Sequence, residues 1–317
     1  MKKFVWGFAV VLLLTVFAGL YFRDKLQNPG VEKTEFLFDT YCSVSVYGHN
    51  AKEATDEVFR RLDEIHKATN FYSSESEVGK INSAKAGEVI QLSEDMCKIL
   101  TVAKKIEEAS GGAFDISLAP VVSLWEFDKG GRVPEKSEIK KALELVGSDA
   151  IAFDPQVKTV VKNNDDAKID LGGAAKGYAG DVAVEILRSY GVGGAIVDLG
   201  GNICCVGKNQ KIKDGKWRIG FQKPFAPSGE YDSVVELDEG SVVTSGTYQR
   251  FFEHEGKNYH HIIDPETGFP KDADYSSVTI VGKSSLYGDC LATACFVLGG
   301  DEAKELARSF GAEIYFK

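Results

Sequence analysis

Apolar and polar residues along this chain recur with a period near two in some segments and near 3.6 in others, and the two kinds of segment interleave without a fixed order. Alternation across Glu35–Tyr47, rich in β-formers, predicts a strand. Val58, Leu62 and Ile65 share one face of a helix predicted over Ala51–Asn70. Phe71–Asn82 is polar, with a run of Ser and Glu, and reads as a loop. Ser93 is placed to cap a helix running to Ser110 and ended by Gly111-Gly112. A short helix over Ser137–Val146 and a hairpin of Ala150–Asp154 with Thr159–Lys162 follow. The middle reads as a strand at Lys168–Leu171, a glycine-rich turn, a helix at Gly177–Tyr190 and a strand at Gly194–Leu199. Strands are predicted at Asn202–Val206, Trp217–Phe221, Ser233–Leu237, Ser241–Thr244 and Ser277–Val281. Helices at Tyr287–Leu298 and Glu302–Phe310 and a strand at Glu313–Phe316 close the chain. Without strict βαβ alternation, the pattern predicts an α+β fold of mixed, largely antiparallel sheets with flanking helices.

Phe4–Phe22 carries no charge; Lys2 and Lys3 precede it, and Arg23, Asp24 and Lys25 follow. The run is long enough to span a bilayer as a helix and longer than the apolar core of most cleaved signals. The expectation is a signal anchor or signal peptide over 1–26, a linker over 27–34 and one domain over 35–317, with a subdomain split near 165 left open. The basic N-terminus favours a single pass through the cell (inner, cytoplasmic) membrane with the globular part outside the cytoplasm.

The chain has 317 residues and a formal charge of −10. Beyond residue 30 the balance is 33 basic against 46 acidic, or −13. Such a surface repels phosphate backbones, so nucleic acid is not the expected partner, and a bound phosphate needs backbone N–H groups or a metal ion. None of the six cysteines falls in a CxxC pair, and Cys204 and Cys205 are adjacent in a strand. Buried free thiols are expected rather than disulfides or a zinc site.

Four segments carry candidate chemistry. Asp170-Leu171-Gly172-Gly173-Ala174-Ala175-Lys176 places two glycines and a lysine at a strand-to-helix turn. It is either an anion cradle or a tight turn with an exposed lysine. Asp198–Asn202 is a second glycine turn. Thr244–Arg250 and Tyr259–Gly268 enclose the adjacent pair His260 and His261, one of which a strand would turn toward a site, where a histidine serves as base or donor. Asp289 and Thr293 stand four apart in an apolar helix, so their oxygens share a face. They are hard ligands suited to Mg²⁺, unless Asp289 merely caps the helix.

Together these segments resemble the ApbE family, the FAD:protein FMN transferases. The resemblance covers roughly residues 35–300 and is carried by Asp170–Asp181, the His-Ile-Ile-Asp-Pro-x-Thr-Gly run within Thr244–Gly268, and Asp289–Thr293. Weaker matches are Phe38-Asp39-Thr40, Ser74–Asn82, Gly112–Asp115 and Asp198–Asn202. The resemblance implies Mg²⁺ as cofactor and FAD as substrate. A Thr or Ser hydroxyl of an acceptor protein, most simply an electron-transfer protein, attacks the FMN phosphorus and AMP leaves. It implies Asp289, Thr293 and the Gly173 carbonyl as metal ligands. It implies Asp170, Lys176, Tyr72, Phe38, Ala113, Phe114, Asp115, His261 and Ile262 as flavin-nucleotide contacts, with His261 as base or orienting group. Phe38 stands where many members have Met. An FAD pyrophosphatase, or a flavin-binding protein without catalysis, remains the alternative.

Overall fold

The computed structural model describes residues 30–227 and 229–317. The apolar run and the anchor read from it lie outside the described residues. Among the described residues no helix is long and apolar enough to cross a membrane.

The first elements are strands β1 (Val31–Leu37) and β2 (Thr40–Tyr47), paired antiparallel. A single strand was predicted from Glu35 after a linker. Instead β1 starts inside that linker, and the chain reverses at Phe38-Asp39, where both residues have positive φ, 52° and 58°. A two-residue hairpin turn of this kind is usually marked by Asn-Gly; with Phe-Asp there, the alternation runs through it unbroken.

Helix α1 (Ala51–Thr69) follows, burying Val58, Leu62 and Ile65 as its periodicity predicts. Helix α2 (Glu77–Ser83) occupies the predicted loop. The Ser76 hydroxyl caps it by accepting from the Gly79 N–H at 2.8 Å. Strand β3 (Val89–Gln91), helix α3 (Glu94–Ala109), helix α4 (Ala119–Leu124, entered through a 3₁₀ turn) and helix α5 (Lys136–Leu143) come next. Strands β4 (Ile151–Asp154) and β5 (Thr159–Lys162) form the predicted hairpin, with β3 added at its edge.

Lys168–Leu171 is not a strand; it joins no ladder. Its backbone bonds go to a side chain instead. Asn82 donates to the Ile169 carbonyl at 2.9 Å and accepts from the Ile169 N–H at 2.8 Å. Beside it the buried Lys162 ammonium donates to the carbonyls of Asn82, Asp165 and Ala167, each at 2.9 Å.

The second half contributes α6 (Ala175–Ser189), β6 (Gly194–Leu199), β7 (Asn202–Gly207), β8 (Trp217–Gln222), β9 (Tyr231–Leu237), β10 (Gly240–Gly246), β11 (Phe251–His254), β12 (Lys257–His260), β13 (Ser277–Gly282), α7 (Ser285–Leu298), α8 (Gly300–Ser309) and β14 (Glu313–Phe316). The principal sheet runs β1-β2-β6-β7-β10-β13-β14 and is antiparallel throughout. The α+β expectation holds.

One face of that sheet packs on the helices, bringing Val44, Val197, Cys204 and Val243 against Leu62, Leu100, Ala179 and Leu291. Each fully buried Val or Leu among them contributes roughly 1.5–3 kcal/mol relative to exposure. The β8–β9 hairpin covers the other face through Trp217, Ile219 and Phe221. All six cysteines are free and buried, as predicted. Burial pushes the Cys204 thiol up to about 12, so it stays protonated and unreactive.

Candidate functional site

Helices α6 and α7 pack closely at Gly177 and Gly180. A Cβ at Gly177 would fall 2.5 Å from the Ser285 carbonyl oxygen and 2.6 Å from the Asp289 Cβ, so only glycine allows the approach. That closeness lets each helix cap the other. The Asp181 carboxylate of α6 accepts from the Ser284 hydroxyl (2.6 Å) and from the Ser285 and Leu286 N–H groups (2.6 and 3.2 Å) at the start of α7. Asp289 of α7 accepts in turn from the Gly177 N–H, at 2.8 Å, at the start of α6. Negative groups at both N-termini also complement the helix dipoles. Asp289 is therefore not the cap of its own helix; Ser284 is.

The bond to Gly177 has a consequence for the turn before α6. In an unbroken helix that N–H would donate four residues back, to the Gly173 carbonyl. Here it goes to Asp289 instead, and the Gly173 carbonyl keeps its lone pairs. Gly173 also faces Thr293: a Cβ there would lie 3.3 Å from the Thr293 Oγ1 and 3.1 Å from the Phe114 ring. Ser245 Oγ approaches the same hydroxyl at 3.4 Å. The glycine turn and the distant helix thus converge, bringing together a carbonyl, a hydroxyl and a buried carboxylate. Three hard oxygens and no soft ligand suit Mg²⁺, which takes its remaining oxygens from phosphates and water. Among the described residues no cluster of three or more His, Cys, Asp or Glu is placed to hold a metal by itself.

Asp170, half-buried, holds the turn from its other side by accepting from the Gly172 N–H at 2.8 Å, while its own N–H donates to the Ile116 carbonyl at 2.8 Å. Burial pushes its carboxyl pKa up. Lys176 reaches back to the Gly172 carbonyl at 3.3 Å.

The two histidines have opposite roles. His260 packs on Phe296; its Nε2–H donates to the Lys271 carbonyl at 3.0 Å, and its Nδ1 accepts from the Ile262 N–H at 3.3 Å, so both nitrogens are used structurally. His261 lines the cleft. Its Nδ1 lies 3.1 Å from the Arg250 carbonyl, which can only accept, so Nδ1 carries the proton. Burial lowers its pKa to about 3, keeping the ring neutral and Nε2 a free lone pair.

All twelve residues singled out from the sequence line one cleft of about 780 Å³. Phe38 sits at its rim on the strained turn, its N–H donating to His66 Nδ1 at 3.2 Å and its ring edge-on to that imidazole. Tyr72 stands 64% exposed, stacked edge-on with Phe71 and faced by Arg250. Ala113 and Phe114 are buried, and the Asp115 carboxylate accepts from the Ser117 N–H at 2.7 Å to start the 3₁₀ turn. Ile262 is buried in the wall beside His261.

His66, which no sequence motif marked, also lines the cleft, as do Asn202 and Arg250, which fell inside candidate segments without a role of their own. Arg250 closes the Thr244–Arg250 segment; His66 lies on a helix whose pattern shows only its apolar face.

The sequence profile of the ApbE family matches residues 38–316. A Treponema pallidum FAD:protein FMN transferase is 34% identical over 88% of this chain and 81% of its own. The Klebsiella pneumoniae FAD:protein FMN transferase is 33% identical over 81% of this chain and 78% of its own. Among solved structures, the Thermotoga maritima ApbE protein superposes with a TM-score of 0.82 at 31% identity, covering 90% of this chain and 94% of that one. The flavin transferase ApbE of Vibrio cholerae gives 0.81 at 26% identity, with 91% and 93% covered.

Proposed function

The chain belongs to the ApbE family and is an FAD:protein FMN transferase; on that premise we propose that its cleft binds FAD with Mg²⁺ and passes FMN to a Thr or Ser hydroxyl of an acceptor protein, releasing AMP. The observation that carries this reading is the convergence of the Gly173 carbonyl, the Thr293 hydroxyl and the Asp289 carboxylate at the mouth of helix α6. Those three groups hold the cation, which when bound neutralises pyrophosphate charge and polarises the phosphoryl group under attack. Lys176 and the α6 N-terminus hold the phosphate oxygens. Phe38, Tyr72 and the Ala113–Asp115 turn flank the flavin nucleotide, and Asp170 fixes the glycine turn.

His261 faces the acceptor hydroxyl. With Nδ1–H tied to the Arg250 carbonyl, Nε2 accepts the hydroxyl proton as the oxygen bonds to the FMN phosphorus. The phosphorus–oxygen bond to AMP breaks, and AMP carries away the electron pair. The acceptor is left with a phosphoester-linked FMN. Positioning and charge neutralisation supply most of the acceleration in such a transfer. The uncharged run Phe4–Phe22 supports attachment to the cell membrane with this domain outside the cytoplasm.

The test is incubation of the full chain with FAD, Mg²⁺ and a Ser/Thr-bearing acceptor, read by mass spectrometry and by nucleotide chromatography. One AMP per FMN attached to the acceptor supports the reading. AMP and free FMN released at a rate indifferent to the acceptor would make water the nucleophile and refute it.

A further inference from the structure

Asn202 is 98% buried in a wall of the cleft (2% exposed), yet among the described residues its Nδ2 has no hydrogen-bond partner. An unpaired buried amide costs stability that an apolar side chain of similar shape would not. Its direction follows from the strand. On β7, Cys204 and Val206 belong to the core beneath the helices, while Ile203 and Cys205 face the β8–β9 hairpin. Period two therefore turns Asn202 toward the helices. Across the ladder it pairs with Val243, which is on the same face. Two residues further along β10 on that face is Ser245, whose hydroxyl lies 3.4 Å from Thr293. The unpaired amide is thus on the same wall as the hard-oxygen cluster.

We propose that Asn202 is a substrate-binding residue whose side-chain N–H donates to a phosphoryl oxygen of FAD. This rests on the reading that the pyrophosphate lies beside Gly173 and Thr293. A donor suits that place because the phosphate oxygens not taken by the cation are acceptors only. With FAD bound, the unpaired N–H gains a charge-assisted bond.

Two variants of the full chain test it. Asn202→Asp removes the donor and sets a carboxylate against the phosphate. Titration by flavin fluorescence quenching then shows FAD bound at least about tenfold more weakly. Riboflavin, which has the same ring and no phosphate, binds as to the parent. Asn202→Leu removes the unpaired amide, so the melting temperature without ligand rises or holds while the upward shift produced by FAD shrinks. A purely structural asparagine would give the opposite pattern: a lower melting temperature and an unchanged FAD shift. Unchanged FAD affinity in Asn202→Asp, or equal weakening of FAD and riboflavin, overturns the proposal. Failure of the parent to bind FAD would overturn the earlier reading instead.

Discussion

The Asp289 carboxylate takes the Gly177 N–H at 2.8 Å across a sequence separation of 112, and in doing so frees the Gly173 carbonyl from the helix that follows it. One bond therefore does two things. It stitches α7 to α6, and it leaves unused the carbonyl oxygen of Gly173, a residue beside Thr293, that an ordinary first turn would have consumed.

Replacing that carboxylate with an amide separates the two effects. In Asp289→Asn the side-chain oxygen can still accept from Gly177, so the melting temperature should stay within a few degrees of the parent. The neutral amide is a poor Mg²⁺ ligand, and flavin transfer should fall by about 100-fold or more. In-gel flavin fluorescence of the acceptor and a thermal melt read the two quantities. Transfer at the parental rate would remove Asp289 from the ligand set.

Gly177→Ala tests the closeness of the helices. The added methyl would meet the Ser285 carbonyl oxygen at 2.5 Å and the Asp289 Cβ at 2.6 Å. Forcing the helices apart should cost about 1–3 kcal/mol and weaken FAD binding at the same time. Denaturant titration and flavin fluorescence follow both; an unaltered midpoint would mean that the joint is looser than described.

Lys162→Met leaves three carbonyls, each now bonded at 2.9 Å, without their donor. At about 1 kcal/mol or more for each, the loss should reach roughly 3 kcal/mol. Because those carbonyls anchor the chain leading into Asp170, FAD affinity should drop as well. Chemical denaturation and FAD titration decide this, and a variant as stable as the parent would show that water replaces the ammonium at no cost.

The pH dependence of stability carries a sign fixed by His261. Its folded pKa, lowered to about 3 by burial, lies below the ordinary imidazole value of 6.5. The unfolded chain therefore binds the extra proton between those values, and stability from this group is fully present above pH 6.5 and declines as pH falls toward 3. His260 shifts in the same direction, also by burial. Half-buried Asp170, Asp181 and Asp198 shift upward through desolvation and oppose them. The informative quantity is thus a difference: His261→Gln should lose less stability than the parent between pH 6.5 and pH 4. Parallel curves for the two proteins would place the imidazole in water.

Much of this was open to view in the sequence, for reasons that differ by residue. Glu313–Phe316 and the α1 face of Val58, Leu62 and Ile65 came from periodicity, which burial imposes directly. The hairpin at Phe38-Asp39 did not, because neither residue is a usual marker for its turn. Helix α2 was hidden by a polar sequence whose cap, Ser76, resembles any loop serine. Lys168–Leu171 has strand composition, but Asn82 takes the bonds a neighbouring strand would have made, a contact 87 residues distant. The convergence of Gly173 with Asp289 and Thr293 came from family resemblance; spacing alone gave a glycine turn and a helix face. Which histidine enters the cleft depended on β12 ending at His260, a boundary the sequence does not mark.

In the proposed function, the glycine turn and helix α7 hold one cation against the FAD pyrophosphate. The direct measurement is a crystal structure of the full chain with FAD and Mn²⁺ in place of Mg²⁺, read by anomalous scattering. The expected result is a single strong peak within ligand distance of the Asp289 carboxylate, the Thr293 hydroxyl, the Gly173 carbonyl and the pyrophosphate oxygens. A peak elsewhere, or FAD bound with its phosphates away from these three groups, would contradict it.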